Sequence, residues 1–444
     1  MRNVFLTSVL MYILFMGCSY PFVAGMAYIW IDIAKPQDLL YSFLAGFPFS
    51  LVAAVIALGS YAFNKNRNPF VLTGMMVLLI LFGCWITFTT YMATPEIGAW
   101  IKWDWAFKAL IFTIFIPLLF RTRVQIEALL LTIIFSVTTI SFSAAVKTLM
   151  GGGGYGSLAI MGGGNVGIGE SSTLATVCVM LIPLVHYLYR NSIIFPDHKL
   201  FKWVMIGCGV SSIVTVIGTN ARTGIVAGAA LLFFYVLQSK RKLLWIVAIV
   251  MAIGIFQIMN LEGTAWSQRM GTINTYQSDS SAATRVAVWE WTLKYVADHP
   301  LGGGFNIYLL NRIVSVDSAG VIQYFTPEYF GGKAFHSIYF EVLGEQGVVG
   351  FGLYAAIMLA TFARLRRISV VTRRNGDQRW ATELASKLTQ AQVVLLAGGL
   401  FIGIAYQAYM FYVVAITIAL GELILQKSAP NSGRIANVQD SASA

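Results

Sequence analysis

Apolar stretches of about 20 residues, the length a helix needs to cross a bilayer core, recur through most of this 444-residue chain. A chain built this way can satisfy its backbone in lipid only as helices, so an all-α polytopic membrane protein is expected. Composition agrees. The chain is 57% hydrophobic and 11% charged, with a mean hydropathy of +0.73, whereas a soluble domain carries about 25% charged residues. The spans fall near 4–34, 41–63, 70–93, 104–120, 124–147, 172–190, 200–219, 221–238, 243–259, 346–364, 386–405 and 409–426. The first is over-long and broken around Ser19-Tyr20-Pro21, which points to a kink or two half-spans. Counted once, it gives about twelve transmembrane helices with both termini on one side. Residues 1–34 run too long and too apolar for a cleaved leader and read as the first membrane element.

The net charge of +11 raises the question of a nucleic-acid partner. The positions of the charges exclude it. Twenty of the 30 Lys and Arg fall on one side, in short loops and at the termini: Lys65/Arg67, Arg121/Arg123, Arg190/Lys199/Lys202, Lys240-Arg241-Lys242 and the segment from Arg364 to Lys387 among them. By the positive-inside rule that side is cytoplasmic. Four cysteines (Cys18, Cys84, Cys178, Cys208) all lie inside apolar runs, so they read as small buried hydrophobes and not as a disulfide framework.

Four parts follow: an N-terminal transmembrane bundle (1–259), one large outer loop (260–345), C-terminal transmembrane helices (346–427) and a disordered cytoplasmic tail (428–444). The outer side also collects Lys35, Lys102, Lys108, Lys147 and Arg222. These run against the orienting rule, which makes them better candidates for function than the cytoplasmic set. Within the loop, Ser278-Asp279-Ser280-Ser281 reads as a helix cap ahead of Ala282–His299, where Val286, Trp289, Leu293 and Val296 recur at helical spacing. Arg285 and Trp289 share a face one turn apart, and Glu290 with Lys294 reads as a solvated pair. Pro300 and Gly302-Gly303-Gly304 stop the helix. A second helix begins at Ser337 and runs into the next span, which sets His336 near a helix N-terminus. The positive end of a helix disfavours imidazolium, so a neutral histidine able to accept a proton is expected there.

The glycine-rich stretch from Met150 to Glu170 lacks the Lys-Ser/Thr of a phosphate-binding loop and reads as a flexible loop or a lid over a glycan or lipid headgroup. Asp32 and Asp38 flank Lys35 with no histidine or third carboxylate nearby in sequence, so no metal is expected. Zinc-peptidase and serine-hydrolase motifs are absent.

Four stretches together carry a family likeness: Thr219-Asn220-Ala221-Arg222-Thr223-Gly224, then Arg285 with Trp289, then Asp298-His299-Pro300-Leu301-Gly302-Gly303-Gly304, and finally Phe335-His336-Ser337-Ile338-Tyr339-Phe340-Glu341-Val342-Leu343-Gly344-Glu345-Gln346-Gly347. The chain resembles the O-antigen ligase and polymerase superfamily. With Trp30 and Lys35-Pro36 it is similar to the ligase-like branch associated with exosortase systems. The resemblance implies a GT-C-like glycosyltransferase in a bacterial inner membrane, its active site facing the periplasm. It would move a glycan from undecaprenyl pyrophosphate to an acceptor hydroxyl, that of lipid A–core above all, without cofactor or metal. It also implies that His336 is catalytic and that Arg222 and Arg285 bind the donor pyrophosphate. Lys108, Arg269, Arg312, Lys333, Trp289 and Tyr339 are supporting candidates, and Lys102 reads as a surface charge. Polymerase, protein O-oligosaccharyltransferase, flippase and scaffold readings stay open at this level. So do bland roles: His336 capping a helix, Arg222 snorkelling to the interface, and Arg285 pairing with an acidic neighbour.

Overall fold

A computed structural model describes residues 2–36, 47–65, 67, 69–94, 96–154, 167–238, 280–316, 322–327, 331–374 and 376–425. The expected span 243–259, the cap at Ser278-Asp279, Arg269, Asp38, the 428–444 tail and most of the glycine-rich loop lie outside them. The described helices, in chain order, are α1 (Arg2–Ser19), α2 (Pro21–Ala34), α3 (Phe49–Phe63), α4 (Gly74–Tyr91), α5 (Glu96–Leu119), α6 (Arg123–Lys147), α7 (Ser171–Asn191), α8 (Lys199–Gly218) and α9 (Arg222–Gln238). After these come α10 (Ser280–Asp298), α11 (Ile338–Thr372), α12 (Arg379–Gly398) and α13 (Ala408–Leu425). Six helical segments among the described residues, including α4, α6, α7, α8, α11 and α13, are long and apolar enough to cross a membrane. The protein is an all-α membrane protein.

The expected break after Ser19 is present. Tyr20 leaves the helix, Pro21 starts α2, and the bend is sharp enough that a Cβ on Gly17 would lie 2.7 Å from that of Ala24. The tightest packing surrounds α7 and α13, whose sides are almost wholly enclosed. The span expected at 386–405 is displaced: α12 runs from Arg379 to Gly398 and stops at the Gly398-Gly399 pair. Ile402, Ile404, Ala405 and Tyr406 are buried as loop, not helix. Hydropathy cannot separate these two arrangements, because both bury the same apolar side chains.

The two ends of the bundle differ in chemistry. At one end Arg121 and Arg364 meet Glu422, Arg123 lies over Trp380 and donates to the Asn191 carbonyl, and Asn191 donates to Glu383. Arg67, Arg190, Arg366, Arg367, Arg373, Arg374 and Arg379 are exposed there. The other end carries α10, a small hairpin and the start of α11.

The hairpin pairs β1 (Ile313–Val316) with β2 (Ile322–Phe325) antiparallel, Ile313 opposite Phe325. It lies between the two helices expected in the loop, α10 and the start of α11. Its cue is local: β-branched and aromatic residues whose faces alternate, Ile313 buried and Val314 exposed. The face of α10 also departs from expectation. Thr284, Val288, Thr292 and Val296 form the buried stripe, while Val286 and Leu293 are exposed. Threonine can take a buried helical position because its hydroxyl bonds back to the previous turn, as Thr292 does to the Val288 carbonyl at 2.7 Å.

Candidate functional site

His336 is placed by four neighbouring segments. It stands two residues before α11 with φ +48°, a left-handed conformation uncommon outside glycine and asparagine. On one side, Trp289 of α10 donates its indole N–H to the Phe335 carbonyl at 2.9 Å and stacks face to face on Phe340 at 4.9 Å. On the other, the Ile338 amide donates to the Gly399 carbonyl at 2.8 Å and the Tyr339 hydroxyl to the Leu396 carbonyl at 3.1 Å. Those two bonds seat the first turn of α11 on the end of α12. Trp289 and Tyr339 thus act as supports whose polar ends bind backbone.

The glycine run after α10 fixes the same region from below. Gly302 and Gly347 have positive φ, and each lies against the other's backbone so closely that a Cβ on either would overlap it. The Gly303 amide donates to the Gly344 carbonyl at 3.1 Å, Gly304 to Glu345 at 2.9 Å and Val348 to Pro300 at 2.9 Å. Gly347 also breaks α11, so the turns just after His336 belong to the cap more than to the long helix below.

Lys333 is tied down by a reciprocal pair. Its amide donates to Asn311 Oδ1 and its carbonyl accepts from Asn311 Nδ2, both at 2.8 Å, and its ammonium sits 4.3 Å from the centre of the Phe325 ring. Burial pushes the His336 imidazole down from its ordinary 6.5 to about 4; Arg285 and then Lys333 add to the fall, and Glu170 opposes it. Burial also lowers Lys333, with Arg285 adding to it. His336 is therefore neutral at physiological pH, flanked by two cations and one carboxylate. Glu170 is the N-cap of α7, accepting from the amides of Ser172 and Thr173 at 3.1 and 2.8 Å.

The structure brings Arg285, Lys333 and Trp289 together with His336. Arg222 opens α9 after Asn220, which has φ +49°. A Cβ on Gly224 would lie 3.1 Å from that of Ala175, which sets the start of α9 against the upper part of α7, below Glu170. Arg222 thus stands at the same end of the bundle as Glu170, and it is not among the charges acting on His336. Arg312 is exposed before β1. Lys108 pairs with Asp104 at 2.6 Å on an exposed face of α5. His198 caps α8, His299 stacks on Tyr295, and His186 shares a hydrogen bond with Tyr235. Asp32 accepts from the Tyr412 hydroxyl at 2.6 Å. Among the described residues there is no group of three metal-ligating side chains.

Lys102 corrects the sequence reading. It is not a surface charge: it is 12% exposed and lies within 3.0 Å of both Glu341 and Glu345. Those carboxylates are one turn apart on α11 and buried, and a buried pair on one face calls for a cation. That signal was legible. Glu170 had none, since its place beside His336 depends on how α7 meets the cap.

Residues 207–355 match the model of the O-antigen ligase family. The matched segment runs from α8 into α11 and contains Arg222, Arg285, Lys333 and His336, so the resemblance carried by those motifs holds at the level of the ligase and polymerase superfamily. Residues 1–193 match a family of unknown function, and Lys102 and Glu170 lie within that segment. None of the curated proteins matches the chain. The match supports glycan transfer of the ligase or polymerase type.

Proposed function

We propose that the protein transfers a glycan from undecaprenyl pyrophosphate to an acceptor hydroxyl at the periplasmic face of a bacterial inner membrane, most simply as an O-antigen ligase acting on lipid A–core. The observation that carries this reading is a neutral, largely buried His336 beside Arg285 and Lys333. The reading includes twelve crossings in a GT-C-like arrangement and cytoplasmic termini. The end rich in exposed arginine supports that orientation.

In this mechanism the donor's pyrophosphate sits against the cations. Arg285 and Arg222 supply planar guanidinium forks that match phosphate oxygens, and Lys333 adds a point charge. His336 takes the proton of the acceptor hydroxyl as its oxygen attacks the sugar's anomeric carbon. The C1–O bond breaks, and its electron pair goes to the bridging oxygen of the leaving undecaprenyl pyrophosphate. Fixed cations stabilise that growing charge more than the ground state. A single displacement inverts the anomeric configuration. No metal or cofactor enters the proposal.

A free-site pKa of about 4 makes His336 a weak base until the donor binds. A bound pyrophosphate offsets the fields of Arg285 and Lys333 and raises the imidazole toward the working range, so the base is strengthened by the substrate it serves. Polymerase and protein O-oligosaccharyltransferase share the donor and differ in acceptor. The test uses proteoliposomes holding lipid-linked glycan with each candidate acceptor, with and without chelator. Transfer that is insensitive to chelator and lost in His336→Ala is expected. Full transfer by folded His336→Ala would move the base elsewhere or leave a scaffold or flippase, and a product of retained configuration would end the single-displacement step.

A further inference from the structure

The buried charge cluster below His336 has its members on four separate segments. Lys102 of α5 donates to Glu341 Oε1 at 2.7 Å and to the two Glu345 oxygens at 2.8 and 3.0 Å. Glu345 also accepts the Asn306 amide of the outer loop at 2.9 Å, and Glu341 the Ala405 amide of the loop between α12 and α13 at 3.1 Å. The ammonium lies 5.0 Å from the ring centre of Tyr406 and 5.6 Å from that of Phe305. Asn306 in turn donates to the Gly98 carbonyl, returning to the start of α5 at 2.8 Å.

Glu341 and Glu345 occupy the two turns between His336 and the break at Gly347. Two carboxylates on one buried face can carry charge together only with a cation close by. Lys102 reaches both. It comes from the segment matched by the family of unknown function, while both carboxylates and His336 lie in the segment matched by the ligase family.

We propose that Lys102 is a positioning residue for His336: by bridging Glu341 and Glu345 it fixes the opening turns of α11, so the N-terminal segment supplies a part without which the ligase site is not assembled. This rests on the reading of His336 as the base. Lys102 contacts neither donor nor acceptor in that reading. Its loss therefore moves the chemical step and leaves donor binding in place.

The experiment measures kcat and donor KM for glycan transfer by the full-length protein in proteoliposomes. Lys102→Met is expected to lower kcat at least about tenfold, with donor KM changed less than about twofold, because a misplaced base slows chemistry without removing the pyrophosphate cations. Lys102→Arg, which keeps the charge, recovers most of the rate. Lys102→Met with Glu345→Gln, which removes one of the two repelling charges, recovers part of it. Folded Lys102→Met with parental kcat overturns the proposal, as does a loss that only tracks the folded fraction. If Lys102→Met yields no folded protein, the double variant must fold and show a kcat-selective loss against the parent, with donor KM little changed, and its failure to do so overturns the proposal equally. Lost transfer in His336→Ala beside parental rate in Lys102→Met strikes the Lys102 proposal alone. Full transfer by His336→Ala strikes the base assignment instead.

Discussion

Replacing His336 with asparagine should make the protein less sensitive to acid, by an amount that follows from its surroundings. The unfolded imidazole titrates near 6.5 and the folded one near 4. Between those values the unfolded chain binds more protons, so folded stability rises with pH through that window and falls as pH drops from 6.5 toward 4. At pH 5 the penalty is RT times the logarithm of the ratio of the two binding polynomials, about 2 kcal/mol; at pH 7 it is about 0.2 kcal/mol. Asparagine is the suitable replacement because it tolerates the left-handed backbone at φ +48° and does not titrate. Denaturation titrations in mixed micelles at both pH values, on the parent and on His336→Asn, give the difference of differences. The parent should lose about 1–2 kcal/mol more than the variant between pH 7 and pH 5. Equal losses would mean that His336 is not held neutral by burial and cations, and the account of the base would fail with it.

Lys333→Met removes one cation that depresses His336, so the imidazole pKa should rise. Because the base works only when neutral, the acid limb of kcat/KM for the free enzyme should move to higher pH; an unmoved limb places Lys333 outside the site's field. Gly347→Ala should cost roughly 3 kcal/mol or more, since its backbone conformation is close to glycine-only and a Cβ would meet Leu301 and Pro300. Gly352→Ala, five residues on with open space around it, should be neutral or stabilising, and thermal melts of the pair separate backbone strain from helix propensity. Trp289→Phe keeps the stack on Phe340 but orphans the Phe335 carbonyl, so about 1–3 kcal/mol of stability and much of kcat should go; an unchanged kcat would mean that this bond does not place His336.

The membrane class, the break at Tyr20 and the motif residues were legible because each is a local property. A run of apolar residues, a proline after a polar interruption or a histidine before a helix reads the same wherever it stands. The face of α10 was not. Val286 and Leu293 are exposed while two threonines are buried, since the partner surface, and not hydrophobicity, chose the stripe. The end of α12 was missed for a related reason: a buried loop of Ile402, Ile404 and Tyr406 has the hydropathy of a span. Lys102 was misread because its partners lie some 240 residues away, at Glu341 and Glu345. Their spacing on one helix face did signal a missing cation, but not which one.

The distribution of cations argues for an anionic ligand at the end that carries His336. At the opposite end most arginines are exposed. Beside His336 the two nearest cations are partly enclosed, and burial lowers both His336 and Lys333. Removing charge from water costs several kcal/mol per ion unless an opposite charge accompanies it. Glu170 is the carboxylate acting on His336, yet it is already engaged in capping α7. Arg285, Lys333 and Glu170 are the charged groups whose fields act on His336. In the proposed function a pyrophosphate would bring negative charge to Arg285, Lys333 and Arg222. Inorganic pyrophosphate should therefore protect the protein thermally, and the protection should shrink in Arg222→Gln as well as in Arg285→Gln. Protection that is indifferent to Arg222 would confine the anion to the α10 side of the cap.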